Sequence, residues 1–399
     1  MKVIKIETIR FAFQKNLTWV RILLDNGITG LGETFFASEA VDAYIRESAA
    51  PLLLSLDDAS PERVARELSP YTGYQGSGVE TRGNSAIDTA LWDAFAKSVG
   101  VPLYRVLGGP LCDRIPIYNT CAGSFYISSQ PRQAITNWGL RENNSGQYED
   151  LKAFMERPGD LAKELLSEGI TGMKIWPFDS AAERTGGMDI SAKELNQGIH
   201  IVESIREAVD LDMKLMIELH GLWYRKPAAA IINALLPYKP YWIEDPLRGD
   251  QIPALAALKR ETGAPIALGE TVTGRRGFLS LLQEGVIDVA TLDIGWTGGI
   301  TEAKKIASLA DSFAVPIAPH DCTGPVSLAV GSHLLFASPN RLLQETVRAF
   351  YRTWYPEIAE SLPRIEGSYL YRDDRHGHGV ELRPAILRRE DVIHRVYQP

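Results

Sequence analysis

Seven ionisable residues of this 399-residue chain stand at or just beyond the ends of short apolar runs: Lys174, Glu218, Glu244, Glu270, Asp293, His320 and Glu345. Glu218, Glu244 and Glu270 recur at intervals of 26 residues. Three carboxylates brought together without a cation repel one another, and burying them unpaired is costly. A hard divalent ion relieves this, and an all-oxygen donor set completed by waters favours magnesium. One of the runs, "MIELHGLW" from Met216, also places His220 two residues after Glu218. On a strand, positions i and i+2 share a face, so carboxylate and imidazole would converge on one site.

Residues so far apart in sequence meet only if the elements carrying them end at one place. From residue 114 the apolar runs "IPIYNT", "TGMKIW", "KLMIEL", "YWIEDP", "APIALGE", "DVATLDIG", "VPIAPH" and "RLLQET" recur. Amphipathic helical stretches such as "AKELNQGIHIVESIREAV" separate most of them. Eight strands alternating with helices predict a parallel (β/α)8-type barrel, whose strand ends ring one mouth. The connection after the first run, 137–158, is polar and longer than a crossover needs, and reads as a surface excursion. Ahead of the barrel, "KVIKIETIRFAF" predicts a strand and "TWVRILLDNGITGLGET" a hairpin turning at Asp25, Asn26 and Gly27. Helical periodicity follows from about Ser38, and again in "SAIDTALWDAFAKSVG". The expectation is an α/β chain: an α+β capping domain over 1–113, a barrel over 114–366, and a tail over 367–399 that returns to complete the cap.

Composition narrows the partners. Fifty acidic against 42 basic residues give a net charge of −8, without the basic footprint that nucleic acid requires. Cys112, Cys121 and Cys322 are too few and too scattered for a disulfide framework and suit a reducing compartment. The start has no apolar signal-peptide core and no apolar run reaches membrane-spanning length. The expectation is a soluble cytoplasmic protein, homo-oligomeric, with a small carboxylate as its substrate. Among the remaining histidines, His200 reads as solvated on a helix and His333 as buried packing. His376, His378 and His394 are tail residues; the spacing of the first two could bind a metal but reads as a solvated turn.

The segments "MKIW", "MIELHG", "YWIEDPL", "ALGET", "LDIGWTGGIT" and "APHDCTGPVSLA" resemble the barrel motifs of the enolase superfamily, mandelate racemase subgroup. "GLGET" and "AIDTALWDAFAKSVGVPLYRVLGG" are similar to that family's N-terminal capping module. The resemblance implies that Glu218, Glu244 and Glu270 bind an essential magnesium ion. It also implies an Asp293–His320 dyad, with His320 a general base and Asp293 fixing its tautomer. Such a base is needed because a proton α to a carboxylate is too weakly acidic for unaided removal, and the enediolate must be stabilised as it forms. Glu345, if protonated, would hydrogen-bond the substrate carboxylate.

Racemases of this subgroup carry a Lys-x-Lys pair at the second strand, the second lysine being a base. Here the pair is Lys174 and Trp176, so that base is missing. Lys174 can still contact the substrate carboxylate. Trp176 either shapes the pocket or packs the core, and Trp296 is a further pocket candidate. "ELHG" resembles the acidic-x-His pattern of the subgroup's sugar acid dehydratases, where the histidine is a general acid. The alternative for His220 is a neutral histidine capping the strand. The resemblance therefore implies magnesium-dependent dehydration of an aldonic or aldaric acid to a 2-keto-3-deoxy acid. An epimerase, racemase or cycloisomerase remains an alternative, as does a catalytically silent metabolite-binding protein. Loops at 13–18 and 35–38, together with the excursion after the first strand, are expected to read hydroxyl stereochemistry.

Overall fold

A computed structural model of the chain describes residues 1–69, 78–140 and 148–398. Three antiparallel strands, β1 (Val3–Phe11), β2 (Leu17–Leu24) and β3 (Thr29–Phe35), open it, with the hairpin turn at the predicted residues. The 20-residue helix Val79–Ser98 lies flat on β3. "GLGET" makes that possible: a Cβ at Gly30 or Gly32 would come within 1.9 Å of Ala90 O or 1.8 Å of Ala86 O. Alternation then sends Glu33 to the opposite face. There its carboxylate accepts from Trp19 Nε1 (2.7 Å) and from the backbone N–H of Val326 (3.3 Å) and Ser327 (3.0 Å). Those amides open the helix Pro325–Phe336, so Glu33 pins the small unit to the large one through an N-terminal cap.

The large unit is a parallel ladder of β4 (Arg114–Thr120), β5 (Gly172–Ile175), β6 (Lys214–Glu218), β7 (Trp242–Glu244), β8 (Ile266–Leu268) and β9 (Val289–Ala290), paired in that order. The eighth apolar run forms β10 (Gln344–Thr346), which pairs in parallel with β4. The seventh, "VPIAPH", is no regular strand: Ile317 makes isolated parallel bridges to Ala290 and Arg341. Pro316 and Pro319 bracket it, and a proline has no N–H to extend a ladder. Pairing nevertheless passes from β9 through Ile317 towards β10 and back to β4. A hairpin of β11 (Arg364–Glu366) and β12 (Tyr369–Tyr371) adds antiparallel to β4, and β13 (Val392–Tyr397) adds antiparallel to β1.

Tyr118, Met216, Trp242, Ala267, Val289, Ala318 and Leu343 form a core cluster of their own. Thr120, Glu218 and Glu244 follow three of these at i+2, so the same face that is apolar below becomes polar at the strand ends. This is how the sheet delivers charged groups to one place.

Two expectations need correction. The 137–158 connection is no surface excursion where it is described, though 141–147 lie outside the described residues. Trp138, Leu151 and Phe154 are buried, and so is Asp150, which meets Arg348 in a two-pronged pair (2.8 and 2.7 Å) while accepting from Asn119 Nδ2 (2.9 Å). Polar residues that satisfy one another inside look solvent-facing in a sequence. His378, likewise, sits on no solvated turn. It is 2% exposed, with Nε2 on Leu31 O (2.8 Å) and Nδ1 accepting from the Val380 N–H (3.1 Å), and it ties the tail to β3. His376 is exposed, and His200 has 76% of its side chain in solvent. His333 is buried against Tyr104, where burial drives its pKa down to about 4 and keeps it neutral. Among the described residues no helix is long and apolar enough to cross a membrane.

Candidate active site

Glu218 and Glu244 end β6 and β7, and Glu270 lies two residues past β8. One carboxylate oxygen from each falls within 4.8 Å of the other two, and all three residues are buried. A cation already answers this charge: Lys174 Nζ, on β5, lies 2.7 Å from Glu244 Oε1, 2.9 Å from Glu345 Oε1 and 3.4 Å from Glu218 Oε2. One ammonium cannot satisfy so much. Glu218 Oε2 is buried without a hydrogen bond among the described residues, and burial, with Glu218 and Glu345 behind it, pushes the Glu244 carboxyl up to about 8 despite Lys174. Asp245, next to Glu244, is a further buried carboxyl, raised by burial and by Glu270 and Glu218. Hard oxygen donors crowded this closely, one of them orphaned, fit a divalent cation.

The Glu345 carboxyl faces donors on several sides. Burial works against ionisation, but Lys174, His320, the Thr120 hydroxyl and the Asp321 N–H (2.9 Å) hold its pKa at about 2. Glu345 is a carboxylate that orients Lys174.

The two histidines are built alike. His320 Nδ1 lies 2.8 Å from Asp293 Oδ2, leaving Nε2 towards the cage, 3.2 Å from Glu270 Oε2. His220 Nδ1 lies 2.8 Å from Asp179 Oδ2. His220 is not on the strand, however: β6 stops at Glu218, and His220 takes a left-handed φ of 51°. Its own N–H donates to Glu218 Oε1 (2.6 Å), which fixes the metal-cage carboxylate and the imidazole relative to each other.

Burial would lower both imidazole pKa values, but facing carboxylates win. His220 is carried up to about 10, by Asp179 first and then Glu218. His320 is also raised, by Glu270 first, then Glu345 and Asp293. His320 owes its leading pull to Glu270, a cage residue, and His220 owes its leading pull to Asp179, outside the cage, followed by the cage residue Glu218.

Both imidazoles line one cavity of about 390 Å³, together with Lys174, Glu270 and Glu345. Trp176 and Trp296 form parts of its wall, with ring centroids 5.8 Å from His220 and 5.1 Å from His320. Trp176 is also packed on Tyr126 and Phe154, so its two readings from sequence are both true of one ring.

Comparison with known proteins agrees with this architecture. Residues 158–386 match the family model Enolase C-terminal domain-like, and 5–108 match Mandelate racemase / muconate lactonizing enzyme, N-terminal domain. The chain belongs to the enolase superfamily. Among solved structures of that superfamily, one of the mandelate racemase subgroup from Agrobacterium tumefaciens is 40% identical, with a TM-score of 0.88 over 100% of this chain and 99% of that one. A D-galactonate dehydratase from Variovorax paradoxus is 27% identical over 96% of this chain and 92% of its own length. A D-gluconate dehydratase from Thermoproteus tenax is 30% identical over 76% of this chain, which spans 55% of that relative's length.

Residues in and behind the cavity wall of this superfamily member also went unread in the sequence. Asp179 stands in "WPFD", three residues past Trp176; a buried acid just beyond a strand end was the available signal. Gln133, whose Nε2 donates to the Tyr126 hydroxyl oxygen (2.7 Å) and Asp179 Oδ2 (3.3 Å), lies on the 121–140 loop and carries no local signal. Thr120 and Arg82 are others that line the cavity. Of the two expected loops, Phe35, Phe36 and Ala37 do line the cavity. The 13–18 loop acts at one remove: Asn16 Nδ2 donates to Ile127 O (2.6 Å) and Gln130 O (2.7 Å), bracing the segment that does.

Proposed function

We propose that the protein dehydrates a sugar acid, aldonic or aldaric, to a 2-keto-3-deoxy acid by α-proton removal and β-hydroxyl loss. It is a carbon–oxygen lyase. The observation that carries the reading is the pair of Asp–His dyads facing one cavity beside a carboxylate cage, because elimination needs a base and an acid at separate carbons. The same reading takes the pairing that returns to β4 as a (β/α)8 barrel with its mouth under the cap. Glu218, Glu244 and Glu270 would hold a divalent cation, magnesium by the hardness of the donors, whose charge when bound stabilises the enediolate as it forms.

The chain's own residues do the rest. Lys174 binds the substrate carboxylate from the floor of the cavity, held in place by Glu345. His320 Nε2 receives the α-proton while Asp293 keeps Nδ1 protonated and steadies the imidazolium. His220 Nε2 returns a proton to the departing β-hydroxyl, so that water leaves, with Asp179 in the steadying role. Tautomerisation of the enol then yields the 2-keto acid. Screening aldonic and aldaric acids for 2-keto acid formation in magnesium tests this. Turnover of at least one acid, abolished by a chelator, is expected. Occupied cage but no turnover of any acid would favour a metabolite-binding protein.

Two variants test the acid. His220→Asn should depress dehydration by about 10²–10⁴-fold, the usual worth of a general acid. Deuterium should then enter recovered substrate faster than keto acid appears, since the enediolate is reprotonated before the hydroxyl leaves. Asp179→Asn should shift the same way by a smaller factor, and should lower the basic limb of the pH profile. Unchanged dehydration in His220→Asn would return that residue to a structural role.

A further inference from the structure

Two arginines that the proposed reaction does not use line the cavity: Arg132 is exposed and donates from Nε to Gln130 Oε1 (3.2 Å), whereas Arg82 is partly buried. Arg82 sits in the first turn of the helix Val79–Ser98, on the cap side, with Phe35, Phe36 and Ala37. Its guanidinium carbon lies 4.5 Å from the Trp296 ring centre and 5.4 Å from that of Phe36. Its hydrogen bond goes from Nη1 to Phe35 O (2.8 Å), and among the described residues it makes no ion pair. Asp293 and Glu270 act on it through space, and burial pulls its pKa down to about 10, which still leaves it charged at neutral pH. Its side chain is partly buried, and a cation taken partly out of water without an anionic partner is unfavourable. Lys174, a further cation of the wall, is held by three carboxylates on the floor.

We propose that Arg82 receives a second carboxylate at the far end of the substrate, so that the preferred sugar acid is a diacid rather than an aldonic acid. The inference rests on the sugar acid reading above. A guanidinium resting beside the Trp296 ring, with one N–H spent on Phe35 O, keeps other N–H groups for an incoming group, and a carboxylate matches that fork in two places. The cavity then binds both ends of one molecule. Lys174 takes the reacting carboxylate, Arg82 the distal one, and the hydroxylated carbons between them lie beside His220 and His320. An aldonic acid would put a neutral hydroxymethyl group against Arg82 and leave the guanidinium without an anionic partner.

The test compares an aldaric acid with the aldonic acid of identical stereochemistry, on the magnesium-loaded wild type and on Arg82→Gln and Arg82→Lys. Wild type should prefer the diacid in kcat/KM by about 10- to 100-fold, the range expected for charge-assisted hydrogen bonds. Arg82→Gln should collapse that preference towards unity, chiefly through the KM of the diacid, and Arg82→Lys should restore part of it. Equal loss on both acids would mean that Arg82 merely packs on Trp296, and would overturn the proposal. So would a wild type that favours the aldonic acid, or one that favours a matched acid with a terminal phosphate over the diacid. If neither acid is dehydrated, the dehydratase reading fails while the binding one is still read: the diacid should raise the melting temperature of wild type more than the monoacid does, and Arg82→Gln should erase the difference. Equal shifts in wild type would overturn it.

Discussion

His320→Asn folds normally and no longer exchanges the substrate α-proton for solvent deuterium, with 2-keto acid formation lowered by about 10²–10⁴-fold or more. The fold should survive because the backbone N–H of His320 bonds Leu292 O (3.0 Å) whatever the side chain, and an amide can still reach Asp293. Chemistry should not survive, since the Nε2 lone pair is the group that accepts the proton. Asp293→Asn should be less severe, because the imidazole remains but is free to take the wrong tautomer. Persistent exchange in His320→Asn would mean another base. Lys174 is poorly suited to that part: burial opposes its charge, but Glu244 and Glu345 raise its pKa well above the ordinary lysine value and keep it protonated.

Glu244→Gln should remove metal binding and activity together, yet leave the metal-free protein as stable as wild type or more so. Glu244 is a strained carboxylate: burial and two neighbouring glutamates push its pKa from 4.5 to about 8. A group raised in this way binds more protons folded than unfolded, so it erodes stability as pH climbs from about 4.5 to about 8. The amide has no charge to repel, can still accept from Trp242 Nε1 (now 2.8 Å from Glu244 Oε2), and leaves Lys174 with Glu345 and Glu218. Melting curves with and without magnesium check this. Wild type should gain stability on metal addition and the variant should not. A metal-induced rise in the variant equal to that of wild type would contradict the cage.

The parts of this account that were legible in the sequence are those set by period. Glu218 and Glu244 follow apolar core residues at i+2 on consecutive strands, so their convergence could be read from alternation and spacing. His220 was read correctly as a neighbour of Glu218 but for an incomplete reason, since a left-handed turn rather than a continuing strand aims it. The ionisation of Glu345 could not be read, because it depends on Lys174 and Thr120 arriving from strands far away in sequence. Asp150 and Arg348 pair across 198 residues, and neither one's context betrays the other. Arg82 lies in a helix turn whose sequence looks solvent-facing; the aromatic rings of Phe36 and Trp296 beside it come from β3's end and from the other unit.

The central claim is that one proton is taken from the α-carbon and one hydroxyl leaves the β-carbon of the same acid. Turnover of the best acid from the screen in deuterium oxide, followed by mass and NMR analysis of product and recovered substrate, reads both events at once. The account predicts a 2-keto-3-deoxy acid lighter than substrate by one water, with solvent deuterium at C3. Substrate inverted at the α-carbon, deuterated there and still carrying its β-hydroxyl, would contradict it and make the two histidines opposed bases of an epimerase.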